Sequence, residues 1–193
     1  MTVSDRVNRR MEATRKRIIE AALNLFLEQG FEQASVAQIS EAADIGKGTF
    51  FTYFSTKQDV LSFLGEQVLA IMVEADDPSE RSADRLRHIF TSAATWFEDN
   101  EALARQMCIA RLSSLTRADV QSSTPDLLKL FGDILTSGIE SHEFRPVKFQ
   151  PALTLLASAY FVPVALWARD PQKVNLSDSL DAQLELALSA LES

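Results

Sequence analysis

The chain reads as all-α, about nine helices arranged as an N-terminal three-helix domain followed by a larger helical domain. Three observations predict this. Gly and Pro number only six each in 193 residues, so long stretches carry no helix breaker. Ala, Leu and Glu are common, and all three favour helix. Apolar residues recur at spacings of three and four in one segment after another. With 46% apolar and 24% charged residues, the composition is that of an ordinary globular chain.

The first helix is expected from about Ala13 to Gln29, on the spacing of Ile18, Ala22, Leu25 and Phe26, with Gly30 as a left-handed cap. Ser35-Val36-Ala37-Gln38 spells a capping box and opens the second helix. Asp44-Ile45-Gly46 reads as a tight turn, and Lys47 to Phe54 as a short third helix. Thr56-Lys57-Gln58-Asp59 starts a fourth, whose stripe is Val60, Leu64, Val68 and Ile71. Further helices are expected over 82–99, 101–115, 125–142, 148–169 and 177–191, with a polar loop at 116–124. Pro163 should kink the eighth. Residues 149–168 carry no charge and match a membrane span in length, but Pro151, Pro163, Thr154, Ser158 and the alanines favour a buried helix of a protein core. The domain boundary is expected between residues 57 and 58.

Charge is uneven. The whole chain carries −8, yet residues 1–17 hold Arg6, Arg9, Arg10, Arg15, Lys16 and Arg17 against only Asp5 and Glu12, a net +4. Residues 58–193 carry −9. An acidic surface repels phosphate, so any nucleic-acid contact belongs to the N-terminal part. Cys108 is alone, which excludes an intrachain disulfide, and one Cys with two His cannot form a Cys/His zinc cage. No metal or cofactor is called for. The basic N-terminus lacks the apolar core of a signal peptide, so a cytoplasmic location is expected.

Residues 35–57 carry the functional chemistry. A capped helix, a three-residue turn and a short second helix make a helix-turn-helix, in which the second helix enters the major groove of double-stranded DNA. Lys47 supplies charge, Gly48 lets the backbone come close to DNA, and Thr49 and Thr52 offer hydroxyls. Phe50 and Phe54 should pin the helix to its own core, while Phe51 and Tyr53 point elsewhere. Lys57 is expected to make a further phosphate site.

The wording from Ala34 to Lys57, together with Arg17-Ile18-Ile19-Glu20-Ala21-Ala22, Phe26 and Gly30-Phe31 before it, resembles the DNA-binding domain of the tetracycline-repressor (TetR) family. The resemblance covers about residues 14–64. It implies an all-α homodimer that binds a palindromic operator, usually as a repressor, and is released by a small molecule held in the C-terminal domain. By position, Ser35, Gly46, Lys47, Thr49, Tyr53 and Lys57 match the family's DNA-contacting places. Thr52 stands where many members carry a larger polar or basic residue, and Phe51 where a tyrosine is common.

The family's dimer is normally built from the last two long helices. Two stripes here fit that role: Leu153, Leu156, Ala157, Tyr160, Val164 and Trp167, and the apolar residues of 180–191, among them Leu184. The alternative is that both face the chain's own core. An apolar or aromatic inducer would suit a pocket lined by Phe90, Trp96, Phe97, Met107, Phe131, Tyr160, Phe161 and Trp167, with Arg111 to orient a polar group. These residues too could simply fill the core. An enzyme is the poorer reading: the chain has neither a glycine-rich phosphate loop nor a Gly-x-Ser-x-Gly elbow, and His88 and His142 have no evident carboxylate partner in sequence. A helical interaction module without DNA binding is the other rival, and the basic N-terminal segment argues against it.

Overall fold

The computed structural model describes residues 3–114 and 124–192, with side chains described over 7–108 and 125–192. Nine helices follow one another among the described residues: α1 (Val3–Gln29), α2 (Val36–Ala42), α3 (Lys47–Tyr53), α4 (Lys57–Glu74), α5 (Ser82–Asp99), α6 (Glu101–Ser114), α7 (Thr124–Glu140), α8 (Phe149–Arg169) and α9 (Leu176–Leu191). The loop expected at 116–124 lies outside the described residues, save Thr124, where α7 begins. Two compact units result; the chain passes from the first to the second inside α4, between Phe63 and Leu64, and the end of α6 from Ile109 groups with the first.

In the first unit, α1 begins about three turns earlier than its apolar spacing suggests. Nothing in residues 3–13 breaks a helix, so the basic segment continues the helix although no core holds it. Val7 to Ala13 are exposed, and burial starts at Ile18. Gly30 ends the helix at φ +86°, its N–H bonded to Phe26 O at 3.0 Å. Phe26, Phe31, Ile39, Phe50 and Phe54 then fill a small core with Ile18 and Ala22. Arg15 lies on this side of α1, its guanidinium 4.8 Å from the centre of the Phe63 ring and 5.7 Å from that of Phe54.

The second unit is built by α8 packing on α9 and α7, with α5 on α9 and α7. Leu86, Ile89, Phe90 and Phe97 of α5 meet Phe131 and Ile134 of α7, Leu156 and Tyr160 of α8, and Leu180, Leu184 and Leu188 of α9. α8 is long and apolar enough to cross a membrane, but one whole side of it is core: Leu156, Tyr160, Pro163, Val164 and Trp167 are buried. The helix runs through Pro163, which lacks the N–H that would bond Ala159 O.

Charges hold the ends of these helices. Arg85 grips Asp76 with two hydrogen bonds of 2.7 and 2.9 Å, both side chains nearly excluded from water. That hydrogen bonding raises the Arg85 pKa above its ordinary value, so the guanidinium stays charged. Helix α5 has no side-chain cap of its own. Glu143, sixty residues on, takes that role by accepting from Ser82 N at 2.7 Å and Ala83 N at 2.9 Å. Between α7 and α8 the chain turns at His142, φ 61°, and lays the Phe144 ring over Gly138, where an added Cβ would collide with it. That close approach explains a glycine inside a helix.

Candidate nucleic-acid interface

The α2–α3 pair is held by local chemistry that the sequence spells out. The Ser35 hydroxyl accepts from Gln38 N at 3.3 Å, and the Gln38 amide oxygen accepts from Ser35 N at 2.9 Å. These two bonds satisfy backbone donors at the start of α2. The turn closes through Ala43 N to Ile39 O at 2.9 Å and Ile45 N to Ser40 O at 3.0 Å. Its left-handed residue is Asp44, at φ 51°. Asp adopts that region more readily than most residues because its short polar side chain can hydrogen-bond locally. Gly46 instead sits at φ −73° as the N-cap of α3.

Helix α3 is fastened from one side only. Phe50 is fully buried and Phe54 nearly so, their ring centres 5.8 Å apart. Lys47, Gly48, Thr49, Phe51 and Thr52 are all exposed, and Tyr53 is half-buried at the edge. Thus the residues expected to meet DNA share one outward surface, opposite the buried rings. Thr52 donates its hydroxyl hydrogen to Gly48 O at 3.1 Å, so part of its polar capacity is already engaged. Ser35 is likewise exposed, with its hydroxyl in the capping box.

Lys57 departs from its expected place as a phosphate contact. Its ammonium donates to Phe31 O at 2.7 Å, Glu32 O at 3.0 Å and Ala34 O at 3.0 Å, and lies 4.5 Å from the centre of the Phe31 ring. An ammonium has three donors, and all three are committed to the loop between α1 and α2. Lys57 therefore braces the frame that carries α2 and α3. Sequence alone shows no sign of this, because the partners are backbone atoms more than twenty residues away.

Of the aromatic residues considered for an inducer pocket, five pack as core, the alternative that the sequence left open for them. Phe90, Phe97, Phe131, Tyr160 and Trp167 are buried and pack ring on ring, with centroid separations of 5.6 Å for Phe90–Phe131 and Phe90–Tyr160 and 5.9 Å for Phe97–Trp167. They are core, and the physical reason is plain: on amphipathic helices, rings at core spacing find one another first. Trp96, Met107 and Phe161 are half-buried at the margin of that core. The Arg111 side chain lies outside the described residues. An open groove of about 250 Å³ runs between α7 and α8, lined by Leu128, Gln150, Leu153, Thr154, Phe161 and Val162, so Phe161 is the assigned residue that reaches it.

Most of the expected dimer stripes pack within the chain, while Leu153 and Ala157 of α8 are half-buried and line the groove. Leu156, Tyr160, Val164 and Trp167 of α8 and Leu184 of α9 are buried within the chain, Leu184 completely. A different apolar set faces outward: Leu155, Val162 and Leu166 on α8, spaced by seven and four, and Leu186 on α9. That spacing was visible in the sequence, but the stronger stripe beside it claimed the helix.

Residues 18–62 match the sequence model of bacterial regulatory proteins of the tetR family. The likeness to that family is carried by this segment. Relatives extend the likeness over most of its length. The fatty acid metabolism regulator protein of Bacillus subtilis is 24% identical over 181 residues, 90% of this chain and 93% of its own. The HTH-type transcriptional repressor KstR2 of Mycobacterium tuberculosis is 26% identical over 149 residues, 74% of each chain. Among solved structures, Thermus thermophilus FadR, a TetR-family transcriptional repressor in complex with lauroyl-CoA, superposes with a TM-score of 0.73 at 27% identity, over 93% of this chain and 95% of that one. The protein is a DNA-binding transcriptional regulator, and the matched segment contains the whole of α2 and α3.

Proposed function

We propose that the protein acts as a homodimeric repressor, that α3 is its recognition helix on a palindromic operator, and that an acyl-type ligand in the second unit releases it. The observation that carries this reading is the one-sided fastening of α3, which leaves Lys47, Gly48, Thr49, Phe51 and Thr52 together on an exposed face. Such a helix fits the major groove, and a dimer offers two of them for half-sites about one DNA turn apart. The outward apolar set Leu155, Val162, Leu166 and Leu186 suits the dimer contact, since α8 and α9 pack side by side. Arg10, Lys16 and Arg17, all exposed on α1, suit phosphates flanking the site.

An acyl ligand is supported by the likeness to the FadR structure that holds lauroyl-CoA. It is also supported by the apolar interior of the second unit, where a hydrocarbon chain would lie among Leu, Ile and Phe side chains. Entry would require the half-buried Trp96, Met107 or Phe161 to move aside. The ligand releases DNA only if it binds the non-DNA conformation better than the DNA-binding one. α4 and α6 each contribute residues to both units and are covalent links through which such a preference would be passed on.

The test is fluorescence anisotropy with a duplex selected by the full-length protein. Lys47→Ala should weaken binding and lower the slope of log affinity against log salt by about 0.9 for one lost phosphate contact. Lauroyl-CoA should release the wild-type complex and raise the melting temperature of the free protein, while coenzyme A alone does neither. Unchanged affinity and slope for Lys47→Ala would remove α3 from the interface. Release by coenzyme A alone would remove the acyl chain from the ligand.

A further inference from the structure

Two residues on the outward face of α3 do nothing for the fold. Gly48 lies within a regular helix, and a Cβ added there would meet nothing within 4 Å. Neither backbone conformation nor packing asks for a glycine, and alanine would be the better helix former. Phe51 keeps 56% of its surface exposed and touches Phe50 only edge-on, ring centres 5.5 Å apart. An isolated exposed phenyl on a helix gains little from its own chain. Thr52 sits beside both, one helical turn from Gly48, with its hydroxyl hydrogen committed to Gly48 O. It therefore offers a methyl group rather than a donor. The middle of the outward face is thus a bare backbone, a phenyl ring and a threonine methyl, while the side-chain donors Lys47 and Thr49 lie toward its N-terminal end.

The apolar feature of a major groove is the C5-methyl of thymine, since the base edges otherwise present hydrogen-bond donors and acceptors. We propose that Phe51, with Thr52 beside it, reads thymine 5-methyl groups, and that the missing side chain of Gly48 allows the ring to reach them. This rests on α3 being the recognition helix. It makes Phe51 a specificity residue that acts by apolar contact, without the hydroxyl a tyrosine would bring.

Replacing thymine by deoxyuridine deletes that methyl and nothing else, so it isolates the contact. A duplex is selected from a random-sequence library by the full-length protein. Each thymine is then replaced singly, and binding is measured at fixed salt for the wild type, Phe51→Ala and Phe51→Leu. The wild type should lose about 3- to 5-fold at one or two thymines per half-site, the worth of one buried methyl. Phe51→Ala should bind the parent duplex more weakly, be indifferent to deoxyuridine at those positions and keep the wild-type salt slope, since no phosphate contact is lost. Phe51→Leu should keep part of the discrimination. Circular dichroism checks that the variants are folded, as the exposure of Phe51 leads us to expect. A tightly bound duplex in which no thymine methyl matters overturns the proposal. So does a deoxyuridine penalty of equal size in Phe51→Ala. If no duplex is selected above background, the assignment of α3 as recognition helix falls, and this inference with it.

Discussion

Replacing Lys57 by methionine keeps the length of the side chain and removes its three donors. Two of the acceptors, Phe31 O and Ala34 O, are part-buried, while Glu32 O is exposed and can turn to water. A hydrogen bond to a charged group contributes about 1.5–3 kcal/mol when fully desolvated, and less where water competes. Allowing about 0.75–1 kcal/mol for each part-buried bond and about 0.5–1 kcal/mol for the ammonium over Phe31 gives a loss of about 2–3 kcal/mol. The loss is confined to the loop between α1 and α2. Both tryptophans, Trp96 and Trp167, belong to the other unit, so their fluorescence is blind to it. Amide hydrogen exchange at residues 30–34 is the suitable measurement, and protection there should fall by about 30- to 150-fold. DNA affinity should fall because α2 and α3 lose their brace, while the salt slope stays as in the wild type.

Lys57→Arg separates the two roles. A planar guanidinium keeps the charge, and would keep a phosphate contact, but it cannot aim at three carbonyls arranged around one point. If Lys57 is a brace, arginine should behave much like methionine in hydrogen exchange. A phosphate-contacting Lys57 would give the reverse pattern: unchanged exchange in both variants, a salt slope lowered by about 0.9 in Lys57→Met, and full rescue by arginine. That result would refute the reasoning from the three hydrogen bonds.

Three other outcomes are expected. Gly48→Ala should stabilise the protein by up to about 1 kcal/mol, since alanine is the better helix former and the added Cβ meets nothing, yet weaken operator binding; a thermal melt beside a binding titration checks both. Leu166→Asp should give a folded monomer in light scattering, because Leu166 is 54% exposed, whereas Leu184→Asp, at a site with no exposure, should fail to fold through burial of an unpaired carboxylate. The hydrogen bond from Arg87 lowers the Glu185 pKa below its ordinary carboxylate value, so the pair's contribution is present above that value and is lost as pH falls through the lowered one. Because both side chains are more than a third exposed, the loss should not exceed about 1 kcal/mol in acid unfolding and should vanish in Arg87→Gln.

The sequence is most legible where a structure is fixed by neighbours a few residues away. Ser35 and Gln38 make their capping box within one turn, Gly30 takes its positive φ from the end of its own helix, and Phe50 and Phe54 anchor α3 by a spacing of four. Each needs only local geometry, and each was readable. The early start of α1 was missed because apolar spacing marks where a helix is packed, while the helix itself continues as far as its residues permit. That Asp44 takes the positive φ of the Asp44–Gly46 turn could not be read, because a three-residue turn can place it at more than one position and the closing hydrogen bonds fix which.

What could not be read depends on which of two faces of a helix meets the rest of the chain. Helix α8 carries apolar residues on both sides, and the sequence offers no physical means of telling an inner Leu156 from an outer Leu155. Only the packing of α5, α7 and α9 decides it, and the same packing turns the aromatic residues expected around a ligand into core. Yet the outer residues become informative once the inner ones are assigned. Leu155, Val162, Leu166 and Leu186 are large, apolar and exposed on two neighbouring helices, at a cost in solubility that a monomer has no reason to bear. Phe51 and Gly48 follow the same logic in the first unit: the fold has no use for either, which is why the proposed recognition role is assigned to them. In this protein the residues that the folded chain leaves unexplained mark its partners more sharply than the residues whose type alone suggests binding.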